Sequence, residues 1–343
     1  MSGTSLRWQP YETDKLQWRR VPYGRAAFCC GERSGFEPGE EAVIAIGVFD
    51  GLHVGHRALV AAAVREASSR GVPCVVVTFD PDPAELVENV AAHVGHRLLG
   101  TPDRVAGLIF AGATAVATLS FTAELAHTGA EEFVRDVLSS VVRPIAVHVG
   151  ENFRFGSGGA GDVSLLTRLG KECGFDVHVH ELVQHADARV SSTRVRELLR
   201  TGGLDEANAL LGRCHFVRGV VEHGRGEGTS FGFPTANVRC ASAACMPKEG
   251  VYACYVTCGG RAWPAAANVG TPATFLSEDY GLIEANLLGF AGDLYGREVS
   301  VSFVRWLRGE RRFSSLEELE RVVLSNIAWV RENLGEGELE VGP

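Results

Sequence analysis

The chain has 343 residues, more than one hydrophobic core usually accommodates, and its 45% apolar and 22% charged content places it among two-domain globular proteins, not disordered or collagen-like ones. A net charge of −9 shared by both halves excludes the basic excess of a nucleic-acid binder, and no apolar run of about 18 residues points to a membrane span. Glycine is the outlier at 41 residues, about 12% against a usual ~7%, so many backbone positions suit tight turns or close ligand approach.

Of the 33 Lys and Arg residues only Lys15, Lys171 and Lys248 are lysines. Lys171 is followed by Glu172 and has Leu165 where a Walker A loop needs its first glycine, so phosphate chemistry of the P-loop type is excluded. Nine cysteines without a CxxC pair read as reduced thiols of a cytoplasmic protein. Residues 1–20 mix acids and bases and lack the apolar centre of a secretory signal.

In chain order, residues 1–40 form an N-terminal extension with Trp8, Tyr11, Trp18 and Tyr23 available to pack on the first domain. From Val43 to Leu211, short apolar runs alternate with helical stretches. Strands are predicted at Val43–Phe49, Cys74–Phe79, Ala113–Leu119, Ile145–Val149 and Phe175–Leu182, and helices at His56–Arg70, Pro102–Phe110, Ala130–Val141, Val163–Cys173 and Thr193–Arg200. Near-continuous apolar strands alternating with helices predict an α/β, doubly wound parallel sheet with ligands at the carboxyl ends of its strands. Near Arg213 the texture changes. His215–Glu222, Gly250–Thr257, Ala262–Asn268, Leu282–Phe290 and Glu298–Leu307 read as strands joined by short turns, with a helix at Ser315–Asn333, which predicts an antiparallel β-barrel plus a C-terminal helix. The domains are thus 1–40, 41–213 and 214–343, and the closing GEGELEVGP reads as a loose tail.

The strand ending at Phe49 runs through Gly47, Asp50 and Gly51 into His53, Val54, Gly55 and His56, where a helix begins. A glycine turn at a helix amino terminus presents unpaired N–H groups and the positive dipole end to an anion. Two histidines three residues apart add donors for oxygens that gain charge during phosphoryl transfer. HVGH recurs at residues 93–96, but that copy follows ENVAA and not a buried strand, so no anion cradle is predicted there. Ser192, Thr193 and Arg196 open another helix, where they suit either a plain N-cap or phosphate oxygens.

In the second half, GRGEGTSFGFPTAN places Gly224, Gly226, Gly228 and Gly232 in nine residues, a backbone able to wrap a phosphate or simply a flexible hairpin loop. Thr235 and Asn237 follow as oxygen ligands suited to a hard cation such as Mg²⁺. His178 and His180 share one strand face, but no third metal ligand stands at useful spacing, so they read as a surface pair.

GVFDGLHVGH, GENFRFG and SSTRVR together resemble the HxGH nucleotidyltransferases, specifically the FMN adenylyltransferase half of bifunctional riboflavin kinase/FAD synthetases. GFPTANV, GVYACYV, NVGTPATF, IEANLLGF and DLYG are similar to the riboflavin kinase half. The resemblance implies a Rossmann-like nucleotidyltransferase domain followed by a riboflavin-kinase-like barrel. It implies phosphorylation of riboflavin to FMN and adenylylation of FMN to FAD, with ATP as co-substrate and Mg²⁺ as cofactor. It assigns His53, His56, Ser192, Thr193 and Arg196 to the ATP phosphates, Asn152 to nucleotide or flavin, and Glu284 to proton abstraction from the ribityl hydroxyl. Riboflavin, FMN, FAD and ATP are then the partners, without nucleic acid or membrane, and a homo-oligomer is compatible with the sequence. Four departures stand out. Asp82 and Asn286 occupy positions where the family commonly has His, Gly289 one where it has Asp, and Pro272-Ala273 shifts a proline by one residue. They leave open a chain with one working half, a paralogue for a modified flavin, or a non-catalytic flavin-binding protein.

Overall fold

A computed structural model describes residues 7–20, 26–30, 36–37, 39–87, 95–186, 188–223, 234–270, 281–311 and 313–341. They fall into two compact units. The first comprises residues 11–92 and 100–191, the second residues 1–10, 93–99 and 192–343.

The first unit is built on a seven-stranded sheet. Its strands are β1 (Gln17–Arg20), β2 (Ala26–Cys30), β3 (Glu41–Ile46), β4 (Cys74–Asp80), β5 (Ala115–Ser120), β6 (Arg143–Gly150) and β7 (Asp176–His180), in the order β1-β2-β5-β4-β3-β6-β7. The five strands from β3 onward are parallel, and Ile44, Val75, Val77, Ala117, Val147 and Val149 are buried, as expected for a sheet covered on both faces. The crossover helices are α1 (Val54–Arg70), α2 (Thr101–Phe110), α3 (residues 130–141) and α4 (Val163–Cys173). Asp162 caps α4 through the Leu165 N–H, and Gly174, at φ 84°, ends it. The N-terminal extension supplies β1 and β2, which join the β5 edge antiparallel. From β3 the chain steps through β4 to β5, then returns to β6 on the other side of β3. The carboxyl ends of β3 and β6 therefore flank the topological switch point, where such sheets bind ligands.

A small hairpin, β8 (Gln184–His185) with β9 (Ala188–Arg189), precedes α5 (Ser192–Thr201) and α6 (Leu204–Leu211). These two helices group with the barrel in the second unit. The reason is packing. Buried Asn208 of α6 donates to the Phe303 carbonyl at 3.0 Å and accepts from the His215 N–H at 2.7 Å, tying α6 to two barrel strands.

The barrel strands are β10 (His215–Glu222), β11 (Ala236–Cys240), β12 (Gly250–Cys258), β13 (Arg261–Gly270), β14 (Leu282–Leu287) and β15 (Glu298–Arg308). They pair antiparallel in the order β12-β15-β10-β11-β14-β13, and β13 pairs with β12 to close the cylinder. Ile327 and Val330 of α7 (Leu316–Leu334) pack against Ala253 and Leu288. The C-terminal residues are not a loose tail. Leu339–Glu340 forms β16 against Ala262 and Arg261, and the Gly337 N–H donates to the Leu288 carbonyl at 3.0 Å. No described helix is long and apolar enough to cross a membrane.

Candidate functional sites

In the first unit the turn after β3 is under conformational strain. Phe49 and Leu52, both buried, sit at φ 57° and 45°, and Gly51 at φ 76°. Left-handed backbone at bulky residues costs of order 1–3 kcal/mol each and clusters at functional sites. This turn delivers His53 as the N-cap of α1. Its Nδ1 accepts the His56 N–H at 3.2 Å, and the two imidazoles stack at 3.6 Å between centroids. Gly55 makes the arrangement possible, because a Cβ there would lie 3.3 Å from the His53 ring; Gly47 likewise leaves space for the Phe49 ring.

Burial pushes the His53 imidazole down to about 4, against the opposing pull of Asp50. Burial, reinforced by His53 and by Arg104, holds His56 well below the usual histidine range. Both rings are therefore neutral near pH 7. A neutral His53 whose Nδ1 accepts carries its proton on Nε2, the atom left to donate. The Nδ1 of His56 is buried without a hydrogen-bond partner, which marks it as a group awaiting one. Two histidine donors at a helix amino terminus can hold and polarise a phosphate.

Asn152 lies on the exposed turn after β6, so it and the His53 turn follow the carboxyl ends of adjacent strands. A Cβ at Gly150 would come within 3.1 Å of the Asn152 Oδ1. Asp82 is nearly buried, and its Oδ1 accepts the Ala84 N–H at 3.0 Å, so this departure caps a short helix. Arg104 of α2 went unseen in the sequence. It is buried, donates to the Phe79 carbonyl at 2.6 Å and bears electrostatically on His56. An arginine in an amphipathic helical run carries no local signal of burial.

Ser192, Thr193 and Arg196 open α5, in the second unit. The Arg196 Nε donates to the His96 carbonyl at 2.5 Å, and Arg194 pairs with Glu206. Of the second HVGH copy, His93 and Val94 lie outside the described residues. Gly95 donates to the Ser242 carbonyl and Arg97 bridges to Ala244, with no helix start between them. Gly95 and His96 thus do not open a helix as Gly55 and His56 do.

On the barrel, Gly224, Gly226, Gly228 and Gly232 lie outside the described residues, as do Pro272 and Ala273. Thr235 leads directly into β11. Strand register then places Asn237 opposite Glu284 of β14, and Glu284 opposite Asn268 of β13, with Glu222 of β10 completing a polar row. Facing Cα atoms in antiparallel pairs are about 4.5–5.5 Å apart. Val238, Ile283 and Ala285 alternate into the core, so Glu284 is exposed on the outer face and not enclosed by its apolar neighbours. The Thr235 hydroxyl, Asn237 amide oxygen and Glu284 carboxylate are hard oxygen donors of the kind that suits Mg²⁺.

Two departures have local explanations. Asn286 donates to the Pro234 carbonyl at 2.9 Å and so holds the entry to the Thr235–Asn237 segment. Gly289 sits at φ 77°, and a Cβ there would lie 2.7 Å from Gly337, so the C-terminal segment requires glycine at that place.

Comparison with known proteins matches residues 36–194 to the family described as FAD synthetase and residues 211–334 to riboflavin kinase. The bifunctional riboflavin kinase/FMN adenylyltransferase of Escherichia coli (strain K12) is 37% identical over 299 residues, covering 87% of this chain and 94% of that protein. The protein of the same description from Pseudomonas fluorescens is 37% identical over 289 residues, covering 84% and 92%. A solved structure described as a macrolide-efflux protein from Streptococcus pneumoniae superposes with a TM-score of 0.77 at 27% identity, covering 88% of this chain and 96% of that one.

Proposed function

The chain belongs to the bifunctional riboflavin kinase/FMN adenylyltransferase family, and we propose that its two reactions are carried by His53 and His56 in the first unit and by Asn237 and Glu284 on the barrel. The enzyme phosphorylates riboflavin to FMN and adenylylates FMN to FAD, with ATP as co-substrate in both steps. Both family halves are present in one chain, so a single-activity protein or a non-catalytic flavin binder is not favoured.

For the kinase step, the observation that carries the assignment is the register pairing of Asn237 with Glu284. Glu284 accepts the proton of the terminal ribityl hydroxyl as that oxygen attacks the γ-phosphorus of ATP, the bond from that phosphorus to the β–γ bridging oxygen breaks and ADP leaves. Its exposure leaves it open to an incoming hydroxyl. Thr235 and Asn237 orient the phosphates and would hold Mg²⁺, which when bound neutralises charge on the transferring group. The glycine-rich sequence with Gly224, Gly226, Gly228 and Gly232, outside the described residues, is by its composition the candidate to bring backbone N–H groups to the phosphates.

For adenylyl transfer, an FMN phosphate oxygen attacks the α-phosphorus of ATP and pyrophosphate leaves, without a covalent enzyme intermediate. His53 Nε2 and the His56 ring donate to the phosphate oxygens as charge builds on them. Docking of a polyanion favours the imidazolium form, so both rings strengthen as donors when ATP binds. The family resemblance further assigns Asn152 to nucleotide or flavin, and Ser192, Thr193 and Arg196 to ATP phosphates. The nine cysteines are all free and eight of them are buried, which supports a reducing, cytoplasmic setting.

The test is a crossed pair of variants assayed with ATP and Mg²⁺ on riboflavin and, separately, on FMN. Glu284→Gln should lower riboflavin phosphorylation by about 10²–10⁴-fold and leave FMN adenylylation intact. His56→Ala should do the reverse. Loss of both activities in each variant would overturn the two-site assignment.

A further inference from the structure

A cluster that neither reaction uses lies in the first unit, between α1 and the strands β6 and β7. His148 of β6 and His178 of β7 are register partners in the parallel pair, and His180 follows on the same face. The three rings stack, with centroids 4.8 Å apart for His148 and His178 and 5.1 Å for His148 and His180. The sequence shows only the His178/His180 pair and no third ligand. The fold supplies two more groups, because α1 crosses this face of the sheet and brings Glu66 to it.

One ligand atom from each of Glu66, His148 and His178 lies within 4.8 Å of the others. Glu66 Oε2 is 2.8 Å from His148 Nε2 and 3.2 Å from His178 Nε2. A tetrahedral zinc ion with bonds of about 2.0–2.1 Å separates its ligand atoms by roughly 3.3 Å. Two of the three edges are therefore near the size of a zinc site before any ion binds. His178 Nε2 is buried and lacks the alignment of a hydrogen bond to the carboxylate, so it gives up no protein partner on ligation.

The surrounding groups orient the ligands. Arg70 takes the other oxygen of Glu66 at 2.6 Å and is itself held by Asp176 at 2.9 Å, which leaves Oε2 turned to the imidazoles. His148 Nδ1 lies 2.9 Å from His180 Nε2. A metal-bound histidine characteristically donates its other ring N–H to a fixed acceptor. Coordination through His148 Nε2 moves that ring's proton to Nδ1, and His180 then accepts it. Arg65 and Arg70 are the cations bearing on the cluster, and Glu66 and Asp176 the anions.

We propose that Glu66, His148 and His178 bind a zinc ion, with His180 and Arg70 as the positioning residues that orient His148 and Glu66. An ion here joins α1, whose amino terminus carries His53 and His56, to β6, which leads into Asn152. Its role is to clamp the sheet, and the proposal does not depend on the assignment of either reaction.

The full-length protein, stripped with a chelator, is titrated with ZnCl₂ by calorimetry and, separately, with CoCl₂ by visible absorption. One equivalent of zinc per chain is expected, with tetrahedral d–d bands for cobalt and a melting temperature that rises with zinc concentration. His178→Asn changes a half-exposed residue and should abolish the bands while leaving far-UV circular dichroism and riboflavin phosphorylation unchanged. His180→Gln should retain the stoichiometry and weaken affinity by about 10–100-fold. The proposal is overturned if the wild type takes up no zinc, if His178→Asn binds it equally well, or if cobalt shows the charge-transfer absorption of cysteine thiolates.

Discussion

Replacing Gly55 by Ala sets helix stability against the placement of a histidine. Gly55 is the second residue of α1, where alanine in place of glycine stabilises by up to about 0.5–1 kcal/mol, less near a helix end. The new Cβ, however, would stand 3.3 Å from the His53 Cε1 and Nδ1, and 3.7 Å from the Val183 Cβ. His53 cannot yield freely, since it is 5% exposed and stacked on His56 at 3.6 Å. The ring must shift by a few tenths of an ångström. Since misplacement by about 1 Å can cost 10²-fold in rate, a shift of this size corresponds to roughly tenfold, or about 1.4 kcal/mol at the barrier. The assay follows FMN to FAD conversion chromatographically, with riboflavin phosphorylation by the same preparation as internal control and a thermal melt alongside. Adenylylation should fall about tenfold while the kinase activity holds and the melting temperature stays level or rises slightly. Unchanged adenylylation, or an equal fall in both activities, would refute the reasoning that Gly55 sets the His53 ring.

The same geometry sets three further outcomes. Asn208→Ala strips partners from the buried His215 N–H and Phe303 carbonyl, and should destabilise the chain by about 2–4 kcal/mol in urea unfolding. Gly289→Ala places a Cβ 2.7 Å from Gly337 at a left-handed backbone position; it should release β16, seen as faster proteolysis of the C-terminal residues, with about 1–2 kcal/mol lost. Burial lowers His53 and His148 to about 4 and His215 to about 3, so these rings stay neutral in the folded chain while unfolded histidines titrate near 6.5. Their contribution to stability is thus fully present above pH 6.5 and lost as pH falls toward 3–4, because the unfolded chain binds more protons in that window. Histidine proton resonances should show these three rings without an inflection near pH 6.5; an ordinary titration of all three would contradict their burial.

Much of both sites is legible in the sequence because its signals are local. A buried β-branched strand, a glycine turn and a helix start are written within about 15 consecutive residues from Val43, and the cradle holding His53 and His56 arises directly from them. The same holds for the helix Val163–Cys173, bounded by Asp162 and Gly174. At the other HVGH copy the described residues Gly95 and His96 do not open a helix.

Other features depend on residues distant in the chain. Asn237 meets Glu284, and Glu284 meets Asn268, only through the register of three barrel strands. Likewise α5 and α6 join the second unit because Asn208 satisfies backbone groups at His215 and Phe303. At Gly289 the C-terminal segment returns close against the backbone, a contact no neighbouring residue announces. Glu66, His148 and His178 are scattered over more than a hundred positions and converge where α1 crosses β6 and β7. By itself the sequence determined the two architectures, the turn that carries His53 and His56 and the family, since propensity, periodicity and motif spacing act over one or two turns of chain. Strand register, burial and the company each polar side chain keeps were decided by tertiary structure, because they depend on which distant segments exclude water together.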